Sequence, residues 1–367
     1  MELKIKINKL LLDNAIEKVA KAIDSNPFMP ELKGILLVAE GNKITLIGSN
    51  SAISIKHDII TSLDAEIIVP GRILIDLSLF RNIVKKLDGD IILKSEENKL
   101  ELITENDRFS LNLYDVTEYP LIDFSIYGDQ VKVNWQKIKS IVRNVAVSAS
   151  SLETNIILCC INISAQNNKL KFVATDKYRY AEEVIDIEED NNFNISLLAK
   201  NLKDILNFDY NGDVVLNVSE QKISFEIEGT TVQSKVLDQV YIDVSKIIPK
   251  QFANTLIISK RELNNLLNKA SVIISENYNK IRLHISDDVL TISSTREEIA
   301  NAEIKTKNFS YTDSELKLAL NSKFLKDAIQ SLDDEIKLSL TADKMRIVIT
   351  SDSNKNLFHL ITPQRGF

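Results

Sequence analysis

Two adjacent cysteines, three scattered histidines and a set of lysines and arginines on helix-patterned segments are the side chains of this 367-residue sequence that could do chemistry. Cys159 and Cys160 are its only cysteines. Neighbours in sequence form at best a strained disulfide, and neither a CxxC pair nor metal-ligand spacing is present. They read as small residues buried in a strand, in a protein kept in the reducing cytoplasm. His57, His284 and His359 lie far apart, each within a strand-like alternation, and nothing pairs a nucleophile with a base. With only nine glycines, the chain shows no P-loop, GxSxG, HExxH or dinucleotide-binding pattern. No enzymatic activity, metal or cofactor is expected. No run of 18 apolar residues occurs, so no membrane span is expected. The start, Met1-Glu-Leu-Lys-Ile, lacks a signal-peptide layout, so export is not expected either.

The elements that must position these residues recur three times. Apolar residues at Leu12, Ala15, Ile16, Val19, Ala20 and Ile23 follow the stripe of an amphipathic helix. The stripe returns at Ile138, Ile141, Val142, Val145, Ala146 and Ala149. It returns again at Leu263, Leu266, Leu267, Ala270, Ser271 and Ile274, giving offsets of 126 and 125 residues. A second helix repeats in step: Phe80, Ile83, Val84 and Leu87; then Leu202, Ile205 and Leu206; then Leu325, Ala328, Ile329 and Leu332. The first helix of each unit precedes an alternating hairpin, at Ile35 to Ser49, Cys159 to Thr175 and Ile281 to Ser294. The second precedes another, at Ile91 to Leu113, Val214 to Val236 and Ile336 to Ile361. Lone helices between hairpin-connected strands predict an α+β protein with antiparallel sheets. Three domains are expected, at residues 1–125, 126–250 and 251–367.

Charge is unevenly shared among these elements. The chain carries −7, yet the six helical windows (8–24, 71–89, 134–150, 197–209, 259–275 and 321–334) total +6, leaving −13 elsewhere. A basic helical face on an acidic body suits sequence-independent contact with phosphates, although lysines on a helix are commonly just solvated.

Several motifs sit on this triple repeat. Pro27-Phe-Met-Pro30 before Gly34-Ile-Leu-Leu, Val69-Pro-Gly-Arg72, and Arg108-Phe-Ser-Leu111 followed by Tyr119-Pro120 belong to the first unit. Ala174-Thr-Asp-Lys-Tyr-Arg179 and Ser234-Lys-Val-Leu-Asp238 belong to the second, and Leu360-Ile-Thr-Pro-Gln-Arg365 ends the third. In order and spacing these resemble the bacterial DNA polymerase III β subunit family, the sliding clamps, along nearly the whole chain.

The resemblance implies a non-catalytic processivity factor: three domains of the DNA-clamp type, with sheets outside and two helices per domain facing a central hole. Its partners would be double-stranded DNA, a second copy of the chain, the polymerase III catalytic subunit, a clamp loader complex and other proteins carrying a clamp-binding motif. An apolar partner peptide would bind at Leu158, Thr175, Tyr178, Arg179, Tyr180, Ile242, Lys246, Ile247, Tyr278, Asn321, Phe324, Ile347, Thr362, Pro363 and Arg365. DNA would face Lys9, Arg72, Lys137, Lys139, Arg143, Lys200, Lys203, Lys260 and Lys323. Phe109 and Leu111 of one copy would meet Val272 and Ile273 of the other. The chain departs from the family pattern where it has Ile242 for a proline, Tyr178 and Tyr180 for histidine and leucine, and Thr362 and Gln364 for methionines. A rival reading is a clamp-like interaction scaffold that does not encircle DNA.

Overall fold

A computed structural model describes residues 2–152, 154–275 and 279–366. It contains the helices α1 (Lys9–Val19), α2 (Leu77–Val84), α3 (Trp135–Ala146), α4 (Ala199–Ile205), α5 (Lys260–Ala270) and α6 (Ser322–Gln330), with antiparallel strands between them. Their stripes are the ones read from sequence: Leu12, Ala15, Ile16 and Val19 of α1 are wholly buried, as are Leu263, Leu267 and Ala270 of α5. Polar side chains begin several helices. Asn8 accepts from the amide of Leu10 (2.9 Å), Asp76 from Leu79 (2.8 Å), and Asn321 from Lys323 (2.9 Å).

The repeat extends to backbone detail. The amides that open α1, α3 and α5 (Lys9, Trp135 and Lys260) donate to the carbonyls of Gly89, Gly212 and Asp334 at 2.9, 2.9 and 2.6 Å. Gly89 (φ 70°) and Asp334 (φ 50°) share left-handed backbone, so the third unit holds with an aspartate a conformation that the first gives to glycine, while Gly212 lies at φ 150°. The hairpin turns agree as well: Asn167-Asn168 and Asp287-Asp288 both sit at φ between 50° and 56°, the left-handed pair of a tight two-residue turn.

The chain packs as two compact units. One comprises residues 1–136 and 200–236, the other 137–199 and 237–367. In the first, five strands run Ala65–Val69, Leu3–Asn8, Asp90–Glu96, Lys99–Ile103, Arg108–Asn112. Its eight-stranded sheet joins Asp129–Asn134, Asp213–Val218, Lys222–Ile227 and Thr230–Lys235 to Ile53–Ile60, Lys43–Ser49, Gly34–Glu40 and Gly71–Asp76. In the second, nine strands run from Phe193–Leu198 through Cys160–Gln166, Lys169–Thr175 and Arg179–Asp186 to Leu357–Ile361, then Ile347–Thr350, Glu335–Leu340, Asn254–Ser259 and Phe309–Tyr311. Its four-stranded sheet runs Ala300–Thr306, Val289–Arg296, Lys280–Ser286, Leu316–Asn321.

Two expectations need correcting. The helical window beginning at residue 71 opens with the strand Gly71–Asp76, and α2 starts only at Leu77. Pro70 and Arg72 therefore belong to a strand entry, because Asp76, the residue able to cap a helix, comes six positions later. The stretches after the second helices are three strands each rather than hairpins.

Candidate functional site: a sheet junction and its apolar cluster

Several residues of the predicted peptide site, Arg179 and Tyr180 among them, lie where the strand Arg179–Asp186 pairs with Leu357–Ile361, from Arg179 opposite Ile361 to Glu183 opposite Leu357. Side chains alternate across a strand, so this junction has two chemistries. On one face Tyr180, only 1% exposed, packs with Val173, Val348 and Leu360, and Tyr241, Val244, Ile248 and Phe358 close around them. The Tyr180 and Phe358 rings lie 5.6 Å apart. The Tyr180 hydroxyl donates to Glu182, and burial together with that carboxylate holds its pKa far above the usual range. Thr175 sits directly across from Tyr180; its amide donates to the Tyr241 hydroxyl (3.1 Å) and its hydroxyl to the Arg179 carbonyl (2.7 Å).

On the other face the Arg179 guanidinium lies 4.3 Å from the Phe324 ring centre on α6. Its Nε donates to Asp176 and its Nη1 to Asp327, both at 2.8 Å. Such a doubly paired arginine is fixed in place. At the end of the junction the amide and hydroxyl of Thr362 both donate to the Tyr178 carbonyl at 3.0 Å. Tyr178 is itself 65% exposed, and Ile242 is 37% exposed.

The fifteen predicted residues are thus divided between faces. Thr175 and Tyr180 line the aromatic cluster; Arg179, Asn321 and Phe324 lie on the helix side, where Asn321 caps α6. Ile347 is wholly buried in the core of that side, whereas Val348, one residue on, joins the cluster. Leu158 is buried in the turn Ile156–Cys159, Ile247 is half-buried, and Lys246 and Arg365 are exposed. Pro363 is half-buried beside Gln364, whose amide donates to the Ala319 carbonyl (2.7 Å). Tyr278 lies outside the described residues. Sequence reasoning missed Val173, Tyr241, Val348 and Leu360; strand alternation was a signal only for Val173 and Leu360.

The basic residues differ in exposure. Arg143, Lys200 and Lys203 are exposed on α3 and α4, and Lys139 is half-buried on α3. Several have partners within the protein. Lys137 meets the wholly buried Glu183 at 2.8 Å, and the ammonium of Lys260 donates to the Gln330 carbonyl (3.1 Å) and to that of Leu332. Lys9 is 3.5 Å from Asp13 and Lys323 3.2 Å from Asp327, while Arg72 is exposed on its strand. The six helices still hold thirteen basic and five acidic residues. Of the proposed dimer contacts, Phe109 is 39% and Val272 81% exposed; Ile273 is half-buried and Leu111 buried. The cysteines are free thiols, and burial, then its neighbour Cys159, pushes Cys160 up to about 12. Among the described residues, no helix is long and apolar enough to cross a membrane.

Family models of the DNA polymerase III beta subunit match in sequence order: the N-terminal domain over residues 1–123, the central domain over 132–243 and the C-terminal domain over 245–365. The chain belongs to the DNA polymerase III beta subunit family. It is 30% identical over 360 residues to the beta sliding clamp of Mycoplasmopsis pulmonis, covering 96% of each chain. The crystal structure of the DNA polymerase sliding clamp from Bacillus subtilis superposes with a TM-score of 0.94 at 25% identity, covering 100% of both chains. A Pseudomonas aeruginosa sliding clamp bound to griselimycin shares the fold, with a TM-score of 0.90 at 19% identity and complete coverage of both chains. Three clamp domains with antiparallel sheets and six helices, in a family without catalysis of its own, are therefore the setting of the cluster described above.

Proposed function

We propose that two copies of this chain close head to tail into a ring around duplex DNA and tether the catalytic subunit of DNA polymerase III in the cytoplasm. The domains of that ring are residues 1–125, 126–250 and 251–367. One observation carries the reading. The last strand of the second domain, Thr230–Lys235, pairs with Ile53–Ile60 of the first, and the last strand of the third, Leu357–Ile361, pairs with Arg179–Asp186 of the second. The corresponding strands left over are Arg108–Asn112 and Ala300–Thr306, and each is the edge of its sheet. An open edge is a template for another strand, and a head-to-tail contact that closes makes a ring. The surplus of basic residues on the helices supports loose phosphate contact within that ring. The aromatic cluster at the second junction supports an apolar peptide as the partner's anchor.

Loading onto nicked circular DNA by the cognate clamp loader with ATP tests the reading. The protein should co-elute with the circle and be released on linearisation, and reversing charge at Arg143 and Lys200 should shorten its retention. Protein that never remains trapped on the circle would instead be a scaffold that does not encircle DNA.

A further inference from the structure

A wholly buried carboxylate holds the other end of the junction that carries the aromatic cluster. Glu183 is 0% exposed, and its two oxygens take three donors from two other elements. Lys137 Nζ (2.8 Å) and Asn354 Nδ2 (3.0 Å) donate to Oε1, and Asn144 Nδ2 (2.9 Å) donates to Oε2. Lys137 and Asn144 lie on α3, while Asn354 belongs to the loop that enters the strand Leu357–Ile361. The adjacent amide of Val184 donates to the Asn356 carbonyl (3.1 Å). A buried charge is tolerated only with its partners in place, so this carboxylate fixes α3, its own strand and the incoming loop together.

The position of Glu183 gives that knot a consequence. The junction is five residue pairs long, with Glu183 opposite Leu357 at one end and Arg179 opposite Ile361 at the other. A slip of one residue would exchange faces. It would turn Leu360 and Phe358 out of the aromatic cluster and take His359, which is 1% exposed, away from Ser331, its hydrogen-bond partner at 2.7 Å. A backbone ladder bonds equally well in either register; a side chain that must meet Asn354, Asn144 and Lys137 at once does not. We propose that Glu183 is a positioning residue for partner binding: through Asn354 it pins the register that places Leu360 and Thr362 against Tyr180 and Tyr178. This rests on reading the cluster as the partner pocket.

Griselimycin serves as the probe, titrated into the full-length protein with fluorescence anisotropy as the readout and circular dichroism as the check on folding. Glu183→Gln turns an amide donor towards asparagine donors, and Asn354→Ala removes one arm from a surface loop. Each should weaken binding by about fivefold or more, the lower end of coupling between sites. Glu183→Gln with Asn354→Asp restores the hydrogen bond with the charge on the opposite partner and should regain most of the affinity. A merely structural role would lower the melting temperature of all three variants and leave the affinities equal. Wild-type affinity in both single variants, or a double variant no better than the weaker single, overturns the proposal. Should Glu183→Gln fail to fold, Asn354→Ala alone decides. A wild-type protein that ignores griselimycin, or binds it equally well without residues 363–367, overturns the pocket reading and this inference with it.

Discussion

Two histidines show how far this fold departs from water at single positions. Burial, with Lys18 nearby, pushes His57 down to about 4, and its Nδ1 lies 2.9 Å from the Thr230 hydroxyl across the first sheet junction. Burial and the Arg179 guanidinium push His359 down to about 3 at the second junction. Both rings are neutral in the folded protein, whereas an unfolded chain binds their protons near pH 6.5. Stability from these groups is complete above pH 6.5 and is lost as the pH falls towards the folded values. For His57 the loss approaches roughly 3 kcal/mol by pH 4. Urea midpoints should therefore fall between pH 7 and pH 4.5, and His57→Gln, which can still bond Thr230, should flatten that fall. Identical pH profiles for the two proteins would show that His57 is not the group responsible. Lys260 teaches the same lesson for cations: a lysine expected from sequence to face DNA has its ammonium engaged by two carbonyls at the end of α6.

At the scale of elements, glycines that look alike in sequence have unlike duties. Gly41 lies in a hairpin turn at φ 61° with nothing within 4 Å of an added Cβ. Gly128, at φ 105° before the strand Asp129–Asn134, would place a Cβ 2.2 Å from the Val218 carbonyl oxygen. Gly41→Ala should cost about 1 kcal/mol, the ordinary price of left-handed backbone, and Gly128→Ala about 3 kcal/mol or more. Equal denaturation midpoints for the two variants would refute this steric assignment. The stripes of α1, α3 and α5 and the Asn-Asn and Asp-Asp turns were legible because they are local patterns of period and conformation. Arg72 was misplaced because an apolar run of four or five residues reads as strand or helix alike, and Asp76 was the missed cap. Ile347 was chosen over Val348 because a four-residue strand buried on both faces shows no alternation. The Glu183 knot was invisible: its partners Lys137, Asn144 and Asn354 lie up to 171 residues from it along the chain.

For the whole molecule, the decisive question is what covers the edge strand Arg108–Asn112. Strand pairing alternates between amides turned towards the neighbour and amides turned away. Leu113 donates to Asn98 and Thr104 to Asp107, so in the strand Arg108–Asn112 the amides of residues 109 and 111 point to Lys99–Ile103. Those of Arg108, Ser110 and Asn112 point outwards. Ser110→Pro removes one outward donor and leaves the inward ladder whole, which a proline on an edge strand permits. In solution the wild type should have a mass near twice 41.5 kDa. Ser110→Pro should shift that equilibrium towards the monomer while lowering stability by no more than about 1 kcal/mol. Sedimentation velocity over a concentration series reads the shift directly. A variant that dimerises as tightly as the wild type would mean that the edge Arg108–Asn112 is not the seam, and the ring would have to close elsewhere. Should the variant be monomeric yet still bind griselimycin, the partner pocket would be a property of one chain, as expected for a cluster that gathers Val173, Tyr241 and Val348 around the pairing of Arg179–Asp186 with Leu357–Ile361.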